Sequence, residues 1–267
     1  MINRCAIIIE SSNVKGLRDL PGARTDAANW RSFLKSELGG AWRDEEICVL
    51  NKPERDKISA SLYQYSGAYV FLAFSGHGFE QFSYVRGKYV TKVCLNDNEQ
   101  AVDIDTISPK RLGTAIFDCC RGIDEESQNP VSVANESFFS NRSLPLTKQA
   151  GAEVIKRLKR RQSIRELFLK EIENNQQLTA LRMYSCSRGE EAEDFEGVAN
   201  AGGYYTTFLL RAAKEWEKRL NTFCCGVYST KQAHDFACAI MARIHPQQHP
   251  EYTPGWQSYP FAIGGCI

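Results

Sequence analysis

Three short apolar segments constrain the fold of this chain more than any other feature. They lie within residues 4–9, 70–74 and 115–117. A strand that is apolar at successive positions is buried on both faces, as in the centre of a parallel sheet. Helical patterns separate the segments along the chain. The alternation of strand and helix therefore predicts an α/β fold built on a parallel sheet.

The remaining elements follow from periodicity and from turn residues. An apolar face over residues 25–38 predicts a helix that ends at Gly39-Gly40. Residues 79–95 alternate around Arg86-Gly87-Lys88, which predicts a hairpin beside a substrate cleft. Residues 123–150 have few regular apolar positions and predict a long mobile loop. Further helices are predicted over residues 56–65, 153–174, 205–218 and 231–244, and further strands over residues 46–50, 181–187, 223–227 and 259–263.

The charge balance excludes several classes of partner. The 267 residues include 33 basic and 32 acidic side chains, so no excess charge favours a nucleic acid or a membrane surface. The apolar run before Glu10 is too short for a signal peptide core or a bilayer span. We therefore expect a cytoplasmic protein with a single domain over residues 1–267.

The ten cysteines indicate neither a disulfide scaffold nor a metal site. Several lie within apolar runs, where a free cysteine behaves as a small hydrophobic residue. No Cys-x-x-Cys pair occurs, and His245 and His249 form the only close histidine pair. No Gly-x-Gly-x-x-Gly or Walker sequence follows the first strand, which argues against a nucleotide or flavin site. We expect reduced thiols, no metal and no cofactor.

Polar groups with catalytic chemistry follow two of the apolar segments. Ser75-Gly76-His77-Gly78 follows residues 70–74, and Asp118-Cys119-Cys120-Arg121-Gly122 follows residues 115–117. The carboxyl ends of the strands of an open sheet form the usual ligand-binding edge. A thiol with a pKa near ~8.5 needs a neighbouring base, and an imidazole meets that need. The sequence therefore predicts a Cys–His pair at this edge, and a structural role in the core or in a turn is the alternative for each residue alone.

These motifs resemble the caspase-like cysteine peptidases, the group of caspases, metacaspases and paracaspases. The resemblance rests on residues 20–27 (Leu-Pro-Gly-Ala-Arg-Thr-Asp-Ala), on the two strand-end motifs and, more weakly, on residues 202–206 (Gly-Gly-Tyr-Tyr-Thr). In caspases the histidine lies about 50 residues before the cysteine; here 120 − 77 = 43. The resemblance covers most of the chain. It implies a caspase-like three-layer sandwich with a mostly parallel six-stranded central sheet and helices on both faces.

The resemblance also divides the chain and assigns catalytic roles. It implies a large part of about residues 1–122, the loop of about 123–150 and a small part of about 175–267. Cys120 is the expected nucleophile and His77 its base, since the family motif is Asp-x-Cys and Cys119 is then a spacer that points into the sheet. Gly78 and the Cys120 amide are the expected oxyanion hole, because a glycine leaves room for close approach of a backbone N–H.

Substrate preference follows from the residues implied for the S1 pocket, which holds the side chain before the cleaved bond. In metacaspases these are an acid after the first strand, the serine of Ser-Gly-His-Gly and the acid two residues before the nucleophile, here Asp26, Ser75 and Asp118. Two carboxylates in one pocket favour a cation, so Arg or Lys is expected at position P1. For Asp26, an ordinary position in the first turn of a helix is the alternative. The loop after residues 181–187 offers three further acids: Glu190, Glu191 and Asp194.

One departure limits what the resemblance implies. Metacaspases follow the nucleophile with His-Ser-Gly, whereas this chain has Arg121-Gly122, so calcium dependence is not carried over. The expected function is a cysteine endopeptidase that cuts proteins or peptides after Arg or Lys and that is controlled by an activating signal or a regulatory partner protein. A catalytically silent caspase-like module that recruits partners is the alternative.

Basic residues in the segment that follows the nucleophile predict self-cleavage somewhere from Arg142 to Arg161. Arg142 and Lys148 are favoured, because they fall in the predicted loop. The basic run over residues 156–161 falls in a predicted helix and is expected to be a solvated helix face.

Overall fold

The computed structural model describes residues 3–98, 101–123, 150–175, 179–195, 202–220, 226–253 and 257–265. Most of the loop predicted over residues 123–150, including Arg142 and Lys148, lies outside these ranges. The strands are β1 (Arg4–Ser11), β2 (Ile47–Asn51), β3 (Tyr69–Gly76), β4 (Gly78–Ser83), β5 (Lys88–Val93), β6 (Val102–Asp103), β7 (Gly113–Asp118), β8 (Leu181–Tyr184), β9 (Gly226–Ser229), β10 (Glu251–Thr253) and β11 (Pro260–Gly264). The helices are α1 (Pro21–Lys35), α2 (Arg55–Gln64), α3 (Ile104–Ile107), α4 (Ala150–Asn174), α5 (Tyr204–Arg219) and α6 (Thr230–Ile244).

The central sheet has six strands in the order β10-β8-β7-β3-β1-β2. All neighbouring strands pair in parallel except β10 and β8, which are antiparallel. The prediction of a mostly parallel six-stranded sheet is confirmed. The three apolar segments lie in the adjacent strands β7, β3 and β1. They therefore form interior strands of the sheet, which are buried on both faces.

The sixth strand of this sheet is not one that periodicity predicts. The segments expected as strands over residues 223–227 and 259–263 correspond to β9 and β11, which pair with each other in a separate two-stranded sheet. Residues 223–225 of the first segment lie outside the described part. The place at the edge belongs instead to β10, which is three residues long, too short to show an alternating pattern.

The two faces of the central sheet bury separate hydrophobic clusters. On one face, Ile8, Phe71 and Ile116 pack with residues of α1, α4, α5 and α6. On the other face, the neighbouring residues Ile7 and Phe117 pack with residues of α2 and α3. Successive side chains of a strand point to opposite faces, so continuous apolar strands supply both clusters. Helices therefore cover both faces, as predicted.

Helix α1 begins and ends earlier than the predicted range of residues 25–38. It starts at Pro21 and stops at Lys35, where Ser36 caps it by donating its hydroxyl to the Phe33 carbonyl oxygen at 2.6 Å. Proline at a first helical position has a preset φ angle and lacks only an amide that would have no helical partner. Asp26 is therefore in the second turn of the helix, so its proposed alternative in the first turn is wrong.

The hairpin predicted over residues 79–95 is formed by β4 and β5, which pair antiparallel, with Arg86 and Gly87 in the connecting turn. Strand β6 adds to the open side of β5. In the part of the chain that the structure describes, none of the helices combines the length and the apolar character needed to cross a bilayer.

Candidate active site

Strand register brings the two catalytic candidates together. Ser75 of β3 lies opposite Asp118 of β7, an offset of 118 − 75 = 43. Beyond the strand ends, Glu80 bridges Ile123 with the same offset, 123 − 80 = 43. His77 and Cys120 lie between these two pairs and are also separated by 43 positions. The shared offset places them at the same level beyond the strand ends, and strand alternation predicts that their side chains are on the face to which Ser75 and Asp118 point.

The two adjacent thiols have different surroundings. Cys119 is 3% exposed and belongs to the hydrophobic cluster beneath the sheet. Cys120 is partly exposed on the opposite face, and its Sγ lies 3.4 Å from the Ala192 amide and 3.5 Å from the Ala192 carbonyl oxygen. Burial raises the pKa of the Cys120 thiol, and the acids Glu191 and Asp118 act in the same direction. At rest this thiol is protonated.

The imidazole of His77 is oriented by the backbone of the loop before α1. Its Nε2 lies 2.6 Å from the carbonyl oxygen of Arg18. A carbonyl only accepts, so this contact requires the proton on Nε2 and leaves Nδ1 free to accept one. Burial lowers the pKa of His77, which keeps the ring neutral. The histidine is thus in the state that a general base needs.

The three predicted S1 residues meet in one buried cluster. Asp26 is 1% exposed and accepts hydrogen bonds from the Ser75 hydroxyl at 3.2 Å and from the Gly203 amide at 3.2 Å. Asp118 is 7% exposed and accepts from the Thr206 amide at 3.1 Å and from its hydroxyl at 2.7 Å. Thr206 lies in the first turn of α5, where helix amides favour a negative charge.

A third carboxylate, Asp194, completes this acidic cup, defined here as Asp26, Asp118 and Asp194. Burial, followed by the neighbouring Asp118, raises the pKa of Asp194 to about 6. Burial and the charges of Asp118 and Asp194 also raise the pKa of Asp26 well above its ordinary value. Of the other two candidates on this loop, Glu190 pairs with His249 at 2.7 Å, while Glu191 is exposed.

Within the described residues, Asp26 and Asp118 of the acidic cup have hydrogen-bond donors but no cation, whereas the charge of Arg18 opposes the rise in the pKa of Asp194. Among the described residues, Asp26 and Asp118 form no ion pair, and their donors are the neutral groups of Ser75, Gly203 and Thr206. Burial raises the pKa of Asp118 despite these bonds. A buried carboxylate without a counter-charge is costly, and the nearby carboxylates increase the cost.

Family and structural comparisons agree with this arrangement. The sequence profile of the caspase domain matches residues 3–258. This chain belongs to the caspase-domain family. That family is a cysteine peptidase family, and its substrates are proteins or peptides. Among curated proteins, none matches the sequence significantly.

Two solved structures share the fold at low sequence identity. Caspase-1 from Spodoptera frugiperda superposes with a TM-score of 0.57 at 13% identity, over 97% of this chain and 92% of that chain. A protein from Geobacter sulfurreducens superposes with a TM-score of 0.54 at 14% identity, over 98% of this chain and 99% of that one. These matches confirm the predicted caspase-like sandwich.

Glycines of this caspase domain allow close approach to the reactive groups. A Cβ on Gly78 would lie 2.7 Å from the Cys119 sulfur and 2.9 Å from the Cys120 carbonyl oxygen, so the Gly78 backbone packs directly against the segment that carries the thiol. A Cβ on Gly203 would lie 2.6 Å from an Asp118 carboxylate oxygen. Any larger residue at position 78 or 203 would clash with these atoms.

A buried ion-pair network holds the residue that follows the candidate nucleophile. Arg121 is 3% exposed and binds Glu80 at 2.8 Å and Glu251 of the edge strand β10 at 2.5 Å. Its backbone amide donates to the Glu190 carbonyl at 2.8 Å. These contacts fix the strand end against the acidic loop of the caspase domain, and sequence reasoning did not predict them.

Three supporting residues, Thr206, Gly203 and Ala192, were also absent from the sequence-based predictions of the site. The Gly202-Gly203 pair before a helix was the available signal, since adjacent glycines indicate that the backbone passes close to another group. As for metals, the described residues contain no group of three potential ligands.

Proposed function

We propose that this protein is a cysteine endopeptidase that cleaves after Arg or Lys. The observation that supports the proposal is the acidic cup, whose buried Asp26 and Asp118 have no cation among the described residues. An arginine or lysine side chain of a substrate supplies that cation with charge-assisted hydrogen bonds. In these residues the pocket is nearer to metacaspases and paracaspases than to caspases that select aspartate.

In the proposed mechanism, Nδ1 of His77 accepts the proton of the Cys120 thiol, and the sulfur attacks the carbonyl carbon of the scissile bond. The carbonyl oxygen of the substrate, which becomes negative, accepts hydrogen bonds from the backbone N–H groups of Gly78 and Cys120. The imidazolium then gives its proton to the leaving amine, and a thioester forms. Water, deprotonated by the same imidazole, hydrolyses the thioester and restores the thiol.

Substrate binding must also disturb one contact of the resting site. Cys120 Sγ lies between the amide and the carbonyl of Ala192, and Ala192 is followed two residues later by Asp194 of the cup. A cation that binds Asp194 therefore acts on the same segment that occupies the thiol. This couples recognition of P1 to release of the nucleophile.

The test is cleavage of a peptide library with Arg, Lys, Asp or neutral residues at P1. We expect turnover of Arg and Lys substrates that disappears in Cys120→Ala and His77→Ala. Cys119→Ala is the matched control, and it should retain activity because that thiol lies in the core. Faster cleavage after Asp than after Arg would refute the pocket assignment, and turnover in Cys120→Ala would refute the nucleophile. A lack of turnover with any peptide would favour the silent module.

We further propose self-cleavage at Arg142 or Lys148, within a single cytoplasmic peptidase domain whose large and small parts stay associated. The support is that β7 and β8, which flank the segment, are neighbours in one sheet, and that Lys156 and Arg157 lie within α4, where a peptide bond is a poor substrate. Intact mass of the native protein and of Cys120→Ala tests this. Fragments that form equally in both would exclude self-cleavage.

A further inference from the structure

A large groove is formed by α1, α4 and α5, on the face of the sheet that these helices cover. Its volume is about 1500 Å³, larger than the ~300–1000 Å³ of ordinary small-molecule pockets. The basic residues that line it are Lys35, Lys156, Arg157, Lys159, Arg160, Arg161, Arg211, Lys214 and Lys218. The acidic residues that line it are Glu37, Glu153 and Glu217. We call it the basic groove.

The basic groove and the rest of the molecule carry formal charges of opposite sign. Nine cations and three anions give it a charge of 9 − 3 = +6. The whole chain has a formal charge of +1, so the remainder carries 1 − 6 = −5. Exposed charges within about 8 Å of one another repel at physiological salt. An anionic occupant would relieve this repulsion.

Several of these cations lack carboxylate partners. Lys156, Arg157, Arg211 and Lys214 form no ion pair within the described ranges, whereas Arg160 of the same groove binds Glu37 at 2.9 Å. A solvated face of one helix, as predicted for residues 156–161, would spread its charges outward. The exposed cations of α4 here share one concave surface with those of α5, which is the arrangement of a binding site for a negative partner.

The shape and the lining of the groove indicate which anion fits. The buried side chains of Phe33, Leu38 and Leu210 form its apolar floor. Amphipathic helices of partner proteins commonly bind in grooves between helices, with their apolar face against an apolar floor. A lipid surface would need a convex or flat contact. Single-stranded nucleic acid would need several aromatic rings on which successive bases stack, and the described lining has one aromatic residue, Phe33.

We propose that the basic groove binds an acidic amphipathic segment of a partner protein. The carboxylates of that segment meet the lysines and arginines, and its apolar face meets the floor. Two residues of the lining are close in sequence to the acidic cup and its supports, since Asn29 is three residues after Asp26 and Thr207 follows Thr206. Binding is independent of the peptidase activity proposed above and is measured without it.

The test uses the full chain carrying Cys120→Ala and a fluorescent 20-residue helical peptide with glutamates on one face and leucines on the other. Fluorescence anisotropy should show saturable binding that weakens as salt is raised from about 50 to about 300 mM. Lys214→Glu should weaken binding about fivefold or more, and Lys156→Glu/Lys214→Glu further. Lys57→Glu, an exposed residue of α2 on the opposite face, makes the same charge change and should alter binding less than about twofold.

Four results would overturn the proposal. The first is absence of saturable binding, with circular dichroism showing that the protein is folded. The second is an equal effect of Lys214→Glu and Lys57→Glu, which would mean that only net charge matters. The third is tighter binding of a single-stranded oligonucleotide or of anionic lipid vesicles than of the peptide. If polyglutamate binds as tightly as the amphipathic peptide, the apolar floor has no part and the assignment to an amphipathic segment is wrong.

Discussion

Two clusters of buried carboxylates lie within one site and differ in the origin of their counter-charge. Glu80 is 0% exposed and binds Arg121 at 2.8 Å and Arg188 at 3.2 Å. Asp26 and Asp118 are almost as buried, yet they accept only from neutral amides and hydroxyls. The protein completes the first cluster itself. The second cluster has no counter-charge among the described residues.

The difference distinguishes carboxylates that hold the structure together from carboxylates that are suited to binding a substrate. A buried ion pair with both members in the protein holds chain segments together, and removing one member leaves a costly unpaired charge. A buried carboxylate without a cation destabilises the protein, and such carboxylates are typical of functional sites. The same chemical group, a carboxylate, therefore supports structure at Glu80 and is expected to support binding at Asp118.

The largest expected effect concerns the completed cluster. Arg121→Met should lower the free energy of unfolding by about 3–5 kcal/mol, because Glu80 would lose its buried partner. Urea denaturation measures the change. The matched control is Arg188→Met, whose side chain is 50% exposed and which should cost about 1 kcal/mol or less. Equal losses in the two variants would mean that burial does not determine the strength of this network.

The next effect concerns the incomplete cluster and substrate preference. Asp118→Asn should lower kcat/KM for an Arg reporter by about 10²-fold or more, since it removes one buried charge from the cup. A reporter with citrulline, the neutral isostere of arginine, should be affected much less. Steady-state kinetics with the two reporters checks this. The control is Glu191→Gln, an exposed acid of the same loop. An unchanged ratio between the reporters would show that Asp118 does not contact P1.

A smaller effect is a dependence of stability on pH. The pKa of Asp194 is raised from 3.8 to about 6, so between these values the folded state holds more protons than the unfolded state. The free energy of unfolding should therefore fall as the pH rises through this window. Asp194→Asn should abolish this fall and be more stable than the native protein above the window by about 1 kcal/mol.

Thermal or urea unfolding at a series of pH values measures the effect, and the two proteins should converge below the window. Asp44→Asn is the control. The pKa of Asp44 is lowered by its hydrogen bond to Lys35, so that variant should not stabilise the protein at any pH. Greater stability of the native protein at high pH would reverse the sign and contradict an uncompensated acid at position 194.

The smallest expected effect is on thiol reactivity. Glu191 contributes to the raised pKa of Cys120, so Glu191→Gln should lower this pKa slightly and increase alkylation by iodoacetamide at neutral pH about twofold. Mass spectrometry of the peptide that contains Cys120 measures the rate. Glu193→Gln, which loses a contact with His245 instead, should leave the rate unchanged. Faster modification of Cys119 would indicate that the protein opens before it reacts.

The sequence was sufficient wherever one strand determined the outcome. Continuous apolar runs predicted the central strands, and the ends of two of these strands supplied His77, Ser75, Asp118 and Cys120. Edge strand β10 was not predictable, because three residues carry no periodicity. The predicted start of α1 at residue 25 is too late, because Pro21 is in the first helical turn and not in the preceding loop.

Long-range partners were beyond sequence reasoning for a different reason. The Gly203 amide reaches Asp26 across 177 positions, and Thr206 reaches Asp118 across 88. No local pattern reports such contacts, which depend on how α5 docks on the sheet. The sequence likewise does not show which acid of the loop joins the cup. Glu190 pairs with His249 instead, and Asp194 is the acid in the cup.

The constant register offset between β3 and the thiol segment has a consequence for how such proteins diverge. The ladder, rather than the number of intervening residues, sets His77 beside Cys120. Residues added in the turn around Arg86 and Gly87 would lengthen the separation in sequence and leave the ladder intact. One residue added between Asp118 and Cys120 would turn the thiol to the other face. The separation of 43, against about 50 in caspases, is therefore free to drift, while the short spacing from strand end to reactive atom is not.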